Sequence, residues 1–202
     1  MRTLLPDGDR VRTEMVRALD TSKDAALMEQ FCRGDEAAFE TLYARHAPPV
    51  LAFLTRMVRD AALAEDLLQT TFLSFVRARG RYQPGTTVRA WVFAIAANAG
   101  RDALRRRKAR REQLSDTGVP PEAVADVAAL VDHGAARAVQ DALMQLPVDQ
   151  REAVVLHKMQ ELSFEEIASA LGITAGAAKV RAHRGYQRLR ALLAPLGLEN
   201  AS

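Results

Sequence analysis

Residues 162–174 read Leu-Ser-Phe-Glu-Glu-Ile-Ala-Ser-Ala-Leu-Gly-Ile-Thr, and this stretch decides the fold. Ser163 followed three residues later by Glu166 is a capping box. The Ser163 hydroxyl accepts from the Glu166 amide, and the Glu166 carboxylate accepts from the Ser163 amide. Leu162 and Ile167 hold the two positions at which apolar side chains staple a helix start. The helix runs through Leu171, where Gly172 supplies a left-handed turn residue. Ile173 is the buried apolar residue of the turn, and Thr174 is the N-cap of a second helix. A short helix, a glycine turn and a longer helix make a helix-turn-helix.

The second helix has no acid between Thr174 and Leu193, but carries Lys179, Arg181, Arg184, Arg188 and Arg190. Ala178, Ala182, Gly185, Leu189 and Leu192 form the stripe expected to face inward. Ala177, Lys179, Val180, Arg181 and Arg184 are left toward the outside. A helix N-terminus with Lys and Arg suits phosphates and purine edges in a major groove. The alternative is a basic surface helix in an ordinary bundle.

Working outward, the 202-residue chain reads as helix nearly everywhere. Apolar residues recur three and four apart in Ala25–His46, Val50–Met57, Ala61–Val76, Val88–Leu104, Asp141–Met159, Phe164–Leu171 and Ala175–Leu193. No alternating strand pattern appears, so an all-α protein is predicted. Breaks are expected at Pro48-Pro49, at 80–87 (GRYQPGTT) and at 115–121 (SDTGVPP).

The net charge of +3 conceals an asymmetry. Residues 25–111 carry 15 bases and 8 acids, whereas 112–140 carry 1 base and 5 acids. Residues 1–24 and 141–202 are each balanced. The third break falls where the charge changes sign. The reading is therefore two small helical domains joined by a flexible, acidic linker at about 112–138. Two small domains on such a tether lack a fixed relative orientation. The basic block fits a polyanionic partner or a merely solvated surface.

Composition excludes several classes. One cysteine, Cys32, rules out an intrachain disulfide framework, and four scattered histidines give no metal-ligand spacing. No run of about 18 apolar residues exists to span a membrane, and the first residues lack the apolar core of a secretory signal. No nucleophile–base pair or phosphate loop is visible, so an enzyme is the weakest reading. No cofactor and no metal are expected, and the cytoplasm is the default compartment.

Three stretches of the basic block stand out. In 64–75, Leu68, Phe72 and Phe75 point one way, while Asp66, Gln69 and Leu73 define a neighbouring face. That mixed face could bind a protein or belong to an ordinary amphipathic helix. In 87–98, Trp91, Ile95 and Asn98 form a row. Trp91 is most simply core, and Asn98 needs a hydrogen-bond partner, either a base or the preceding loop. In 101–111, seven of eleven residues are basic, which suits a helical clamp on DNA backbone.

In this order and spacing, residues 25–195 resemble a bacterial RNA polymerase sigma factor of the extracytoplasmic-function class. Gly34-Asp35-Glu36-Ala37-Ala38-Phe39 resembles the start of region 2. Glu65-Asp66-Leu67-Leu68-Gln69 with Phe72 resembles the helix that docks on the β′ clamp coiled coil of the polymerase. Arg89-Ala90-Trp91 through Asn98, Asp102 and the arginine run resemble the part that opens and reads the −10 element. Leu146-Pro147, Gln150-Arg151-Glu152 and the helix-turn-helix resemble region 4, which reads the −35 element.

The resemblance implies a promoter-specificity subunit with core polymerase (β′ clamp helices and β flap), promoter DNA and an anti-sigma factor as partners. It implies −10 contacts from Tyr82, Arg89, Trp91, Asn98, Arg101, Arg105, Arg106, Arg107 and Lys108. It implies −35 contacts from Thr174, Ala177, Lys179, Val180, Arg181 and Arg184. Docking on core polymerase falls to Glu65, Asp66, Leu67, Gln69, Thr70 and Leu73. The implied domains are an extension at 1–24, region 2 at 25–111, the linker at 112–138, region 4 at 139–195 and a tail at 196–202.

The chain departs from the family pattern in places. Thr70 stands where the docking helix often has Glu. Ala177-Ala178 replaces Thr-Val, and Ala182 and Gly185 replace larger or more helix-favouring residues, which implies a looser helix-turn-helix core. Two rivals remain: a dimeric helix-turn-helix repressor, and a sigma mimic that binds a regulator but not DNA.

Overall fold

A computed structural model describes residues 7–83, 85–116 and 134–197, with side chains described from residue 20 onward except at 114–116. Among the described residues every regular element is a helix. Expectations for the centre of the acidic linker and for the last residues of the tail lie outside them.

The N-terminal unit is built from α1 (Asp7–Cys32), α2 (Glu36–Val58), α3 (Ala61–Ala78) and α4 (Val88–Asp116). The stretch 25–46 is not one helix. Gly34 adopts φ +100°, a conformation that costs glycine nothing, and so separates α1 from α2. Asp35 then caps α2 by accepting from the Ala37 and Ala38 amides at 3.0 and 3.3 Å. The break expected at Pro48-Pro49 does not occur, and both prolines sit inside α2. Proline removes two amide donors there, but buried His46, Ala47 and Val50 on either side hold the helix to the core.

Arg59, at φ +54°, ends α2, and Asp60 caps α3 by accepting from the Leu63 amide at 3.0 Å. The core of this unit is aromatic. Phe53 meets Phe93 edge-on at 5.6 Å, and Phe75 lies 4.8 Å from Trp91. Residues 7–24 of the expected extension lie within α1, which Asp24 ties to α2. Asp24 is only 5% exposed and bonds His46 Nε2 at 2.9 Å as well as Arg45. A carboxylate that deep persists only when so paired.

The C-terminal unit comprises α5 (Gly134–Gln145), α6 (Val148–Val154), a π-helical turn at Val155–Met159, α7 (Phe164–Leu171) and α8 (Ala175–Leu193). The periodic stretch 141–159 is divided by Leu146-Pro147 and then widened into the π turn. Arg151 spans the first break. It donates to the carbonyls of Leu143, Met144 and Leu146 at 2.9, 3.1 and 3.2 Å, satisfying the end of α5. The capping box is present, with both reciprocal bonds at 2.8 and 3.1 Å, and Gly172 has φ +65°.

The inward stripe of α8 is Ala178, Ala182, Gly185, Leu189 and Leu193; Leu192 is only half-buried. Four residues past Leu189, Leu193 stays under the stripe, whereas Leu192 rotates toward its rim. The expected loosening at Gly185 is not found. A Cβ there would lie 2.5 Å from Val154 Cγ2 and 3.2 Å from the Gln150 carbonyl, so glycine is what lets α8 lie against α6. Gly185→Ala is therefore expected to destabilise the chain by roughly 1–3 kcal/mol, the usual cost of overpacking. A thermal melt checks this; unchanged stability would mean that α6 yields freely.

The two units do not hang free of one another. Arg151 Nη1 also donates to the Met57 carbonyl at 2.5 Å, and Gln140 donates to the Arg56 carbonyl at 3.2 Å. Arg59 pairs with Asp141. In this conformation α4 packs on α7, and α2 on α5 and α6. Both ends of the expected linker are helical, since α4 runs on to Asp116 and α5 begins at Gly134.

Candidate nucleic-acid and polymerase interfaces

The N-terminal half of α8 is positioned by its cap. Thr174 Oγ1 accepts from the Ala177 amide at 3.1 Å, so this hydroxyl is already engaged. Beyond it Lys179, Val180 and Arg184 are exposed, with Val180 at 48%, while Ala177 is half-buried. Arg181 leans back toward Asp149 at 3.6 Å. The helix thus offers an apolar methyl pair flanked by cations, a combination that can meet a thymine methyl and neighbouring phosphates.

The candidate −10 residues are differently placed. Tyr82 closes its own loop, donating to the Thr86 carbonyl at 2.6 Å and packing 5.4 Å from Trp91. Trp91 is half-buried between Phe75 and Tyr82. Asn98 is exposed, and its Oδ1 accepts from Arg101, one turn along α4. Arg105 pairs with Asp102, Lys108 lies 3.7 Å from Glu112, and Arg106 is exposed. Arg107 donates to the Val58 carbonyl at 3.5 Å.

Two of these residues are engaged by the C-terminal unit. Arg89 donates to the Gln160 carbonyl. Arg101 Nη1 donates to both carboxylate oxygens of Glu152, at 2.9 and 3.1 Å. The Glu152 side chain is 1% exposed and that of Arg101 27%. Burial pushes the Glu152 carboxyl upward, against the opposing pull of Arg101. In this conformation both arginines are engaged by the C-terminal unit. Sequence reading missed the contact because nothing in the spacing joins residues 51 and 71 positions apart.

On α3, Glu65, Asp66, Gln69 and Thr70 are exposed, and Leu73 shows 57% of its surface. Leu67, expected on the same face, is 5% exposed and belongs to the core. The helical turn places it beside Thr71, whose hydroxyl bonds the Leu67 carbonyl at 2.6 Å. An exposed leucine ringed by polar groups is the anatomy of a docking patch.

The N-terminal unit thus carries an exposed polar-apolar face and a basic helix, and the C-terminal unit carries a helix-turn-helix. The family description Sigma-70 region 2 matches residues 42–110, and Sigma-70, region 4 matches residues 136–189. The chain is 55% identical to RNA polymerase sigma factor CarQ of Myxococcus xanthus, over 86% of this chain and 99% of CarQ. It is 38% identical to the ECF RNA polymerase sigma factor SigM of Mycobacterium tuberculosis, over 84% of each.

Among solved structures, a Bartonella quintana sigma factor RpoE, in complex with the anti-sigma factor NepR, is 30% identical with a TM-score of 0.65. That match covers 77% of this chain and 96% of the other. CnrH in complex with the cytosolic domain of CnrY is 28% identical with a TM-score of 0.67, covering 86% and 98%. The chain belongs to the sigma-70 family of RNA polymerase sigma factors, in its extracytoplasmic-function class. It is a promoter-specificity subunit that directs transcription initiation. Among the described residues no helix is long and apolar enough to cross a membrane.

Proposed function

We propose that the chain divides its work as the geometry suggests. The exposed α3 face, Glu65, Asp66, Gln69, Thr70 and Leu73, docks on the polymerase clamp. The α4 surface and the loop from Tyr82 to Arg89 engage the −10 region. The outer side of α8 reads the −35 region. These roles imply region 2 within about 25–111 and region 4 within about 139–195. The chain makes no covalent chemistry of its own, borrows the polymerase active site and works in the cytoplasm.

The observation that carries this reading is α8: an acid-free helix whose N-terminal half presents Lys179, Val180 and Arg184 outward beyond a capped turn. Arg184→Ala is expected to weaken binding to a −35 duplex by roughly 1–3 kcal/mol if the contact is to a base edge. Arg181→Ala should cost less, because Asp149 shares its charge. Fluorescence anisotropy on a promoter duplex distinguishes them, and equal affinity for wild type and both variants would remove α8 from the interface.

Regulation follows from the occlusion of Arg89 and Arg101. The closed chain must open before α4 can meet DNA. An anti-sigma factor, the partner seen with both solved relatives, would act by holding the units together or by covering the Asp66–Gln69 face.

A further inference from the structure

The connection between α3 and α4 is tied to itself at several points. After the short helical turn Arg79–Arg81, the Tyr82 amide donates to the Arg79 carbonyl and the Thr86 amide to the Gln83 carbonyl, both at 3.2 Å. Gly85 takes φ +100°, a conformation open to glycine and costly for any other residue. Thr87 Oγ1 accepts from the Ala90 amide at 3.2 Å and so caps the start of α4. Across the loop, the Tyr82 hydroxyl donates to the Thr86 carbonyl at 2.6 Å.

The Tyr82 ring is itself held. Phe31, Phe75, Trp91 and Tyr82 form a row with centroids 5.9, 4.8 and 5.4 Å apart, rooted in the buried Phe31 and Phe75 and ending at the half-buried Tyr82. Helix α1 braces the entry to the loop. Cys32 Sγ donates to the Arg79 carbonyl at 3.3 Å, and the Arg79 guanidinium lies 5.6 Å over the Phe31 ring. Burial first, then Cys32, Asp24 and Glu29, push the Tyr82 hydroxyl above its ordinary value, so it keeps its proton throughout the neutral range. A phenol has one proton to donate, and here it goes to Thr86.

We propose that Tyr82 is a positioning residue for promoter opening: its hydroxyl splints the loop 82–87 in the shape that meets an unpaired −10 strand, and it acts through the Thr86 carbonyl rather than through a DNA contact of its own. This rests on the assignment of the loop to the −10 region and changes the part played by Tyr82 within it. A loop shaped before the strand arrives gives up less freedom on capture. Apparent affinity scales with the fraction of chains whose loop is already formed, and the splint raises that fraction.

Tyr82→Phe keeps the ring and removes the hydroxyl. In the full chain without DNA, amide exchange at Thr86 is measured relative to the buried α4 residues Val92 and Phe93, which removes any global change in stability. It should quicken about two- to tenfold, the equivalent of one hydrogen bond. In holoenzyme assembled with core polymerase, permanganate reactivity of −10 thymines should fall by about twofold or more, while affinity for core polymerase holds. Gly85→Ala strains the turn through its backbone alone, since the new Cβ meets nothing within 4 Å, and should bring the same two changes with the hydroxyl still present. Reduced opening with unchanged Thr86 exchange in Tyr82→Phe would make the hydroxyl a DNA contact and overturn the proposal. Opening equal to wild type in both variants would overturn it as well, because loop shape would then not matter. A wild-type holoenzyme that opens no promoter would overturn the −10 assignment itself, and the proposal with it.

Discussion

Arg151→Ala is expected to be the most damaging single substitution in the chain. Arg151 is 4% exposed and donates to the carbonyls of Leu143, Met144, Leu146 and Met57. Burial already holds its guanidinium below its ordinary range. Deleting it leaves the end of α5 without donors, and each orphaned buried group costs about 1–3 kcal/mol. Partial rescue by water leaves an expected loss of roughly 3–5 kcal/mol, the range seen when a buried charged network loses a member. The melting temperature should fall by about 10 °C, at roughly 2–4 °C per kcal/mol for a chain of this size. Arg151→Lys should recover only a fraction, because an ammonium with three donors cannot span four carbonyls. Calorimetry that finds either variant within about 1 kcal/mol of wild type would contradict the role assigned here.

The second large effect concerns closure. Arg101→Glu sets a carboxylate against Glu152 at the joint between α4 and the C-terminal unit. The closed state loses its buried ion pair and gains a like-charge contact, at a cost of roughly 3–5 kcal/mol. Opening hydrates both carboxylates, so the units should separate rather than unfold. An interdomain distance measured by paired fluorophores should lengthen, while helix content holds. The exchanged pair, Arg101→Glu with Glu152→Arg, should restore compactness. A short distance in the single variant would show that other contacts dominate the joint.

Closure should also respond to pH. Glu152 faces Arg101 from α4, Arg181 from α8 and Asp149 from α6, and burial outweighs the cations, so its carboxyl is raised in the closed state. Opening returns it to the ordinary glutamate value of about 4.3. The closed state thus binds a proton more readily than the open one. Its share of the closing energy is complete below the ordinary value and is lost as pH rises through the raised one. The fluorophore distance should lengthen across that window, and Glu152→Gln should flatten the response.

Much of this architecture was legible because local rules dictate it. Ser163, Glu166, Gly172 and Thr174 each announce a helix end by chemistry that acts over three or four residues, and all four behave as read. The exposed face of α3 at Asp66, Gln69 and Leu73 was legible from periodicity, whereas Leu67, which the resemblance added to it, is buried. What escaped was nonlocal. The prolines of α2 looked like a break because their tertiary support from His46 and Val50 lies outside any window of pattern. Gly185 looked like a weakness because its necessity comes from Val154, on another helix. Arg89 and Arg101 looked free because charge density says nothing about which carboxylate or carbonyl will reach them.

The most direct test of the central assignment is transcription in vitro with purified core polymerase, using wild-type chain and the Asp66→Arg variant on a genomic promoter library. Initiation is expected at a discrete set of promoters sharing −10 and −35 elements, and that initiation should be lost with Asp66→Arg because a charged docking contact is reversed. Core polymerase that starts nowhere new in the presence of the wild-type chain, or that starts equally well with the variant, would contradict it.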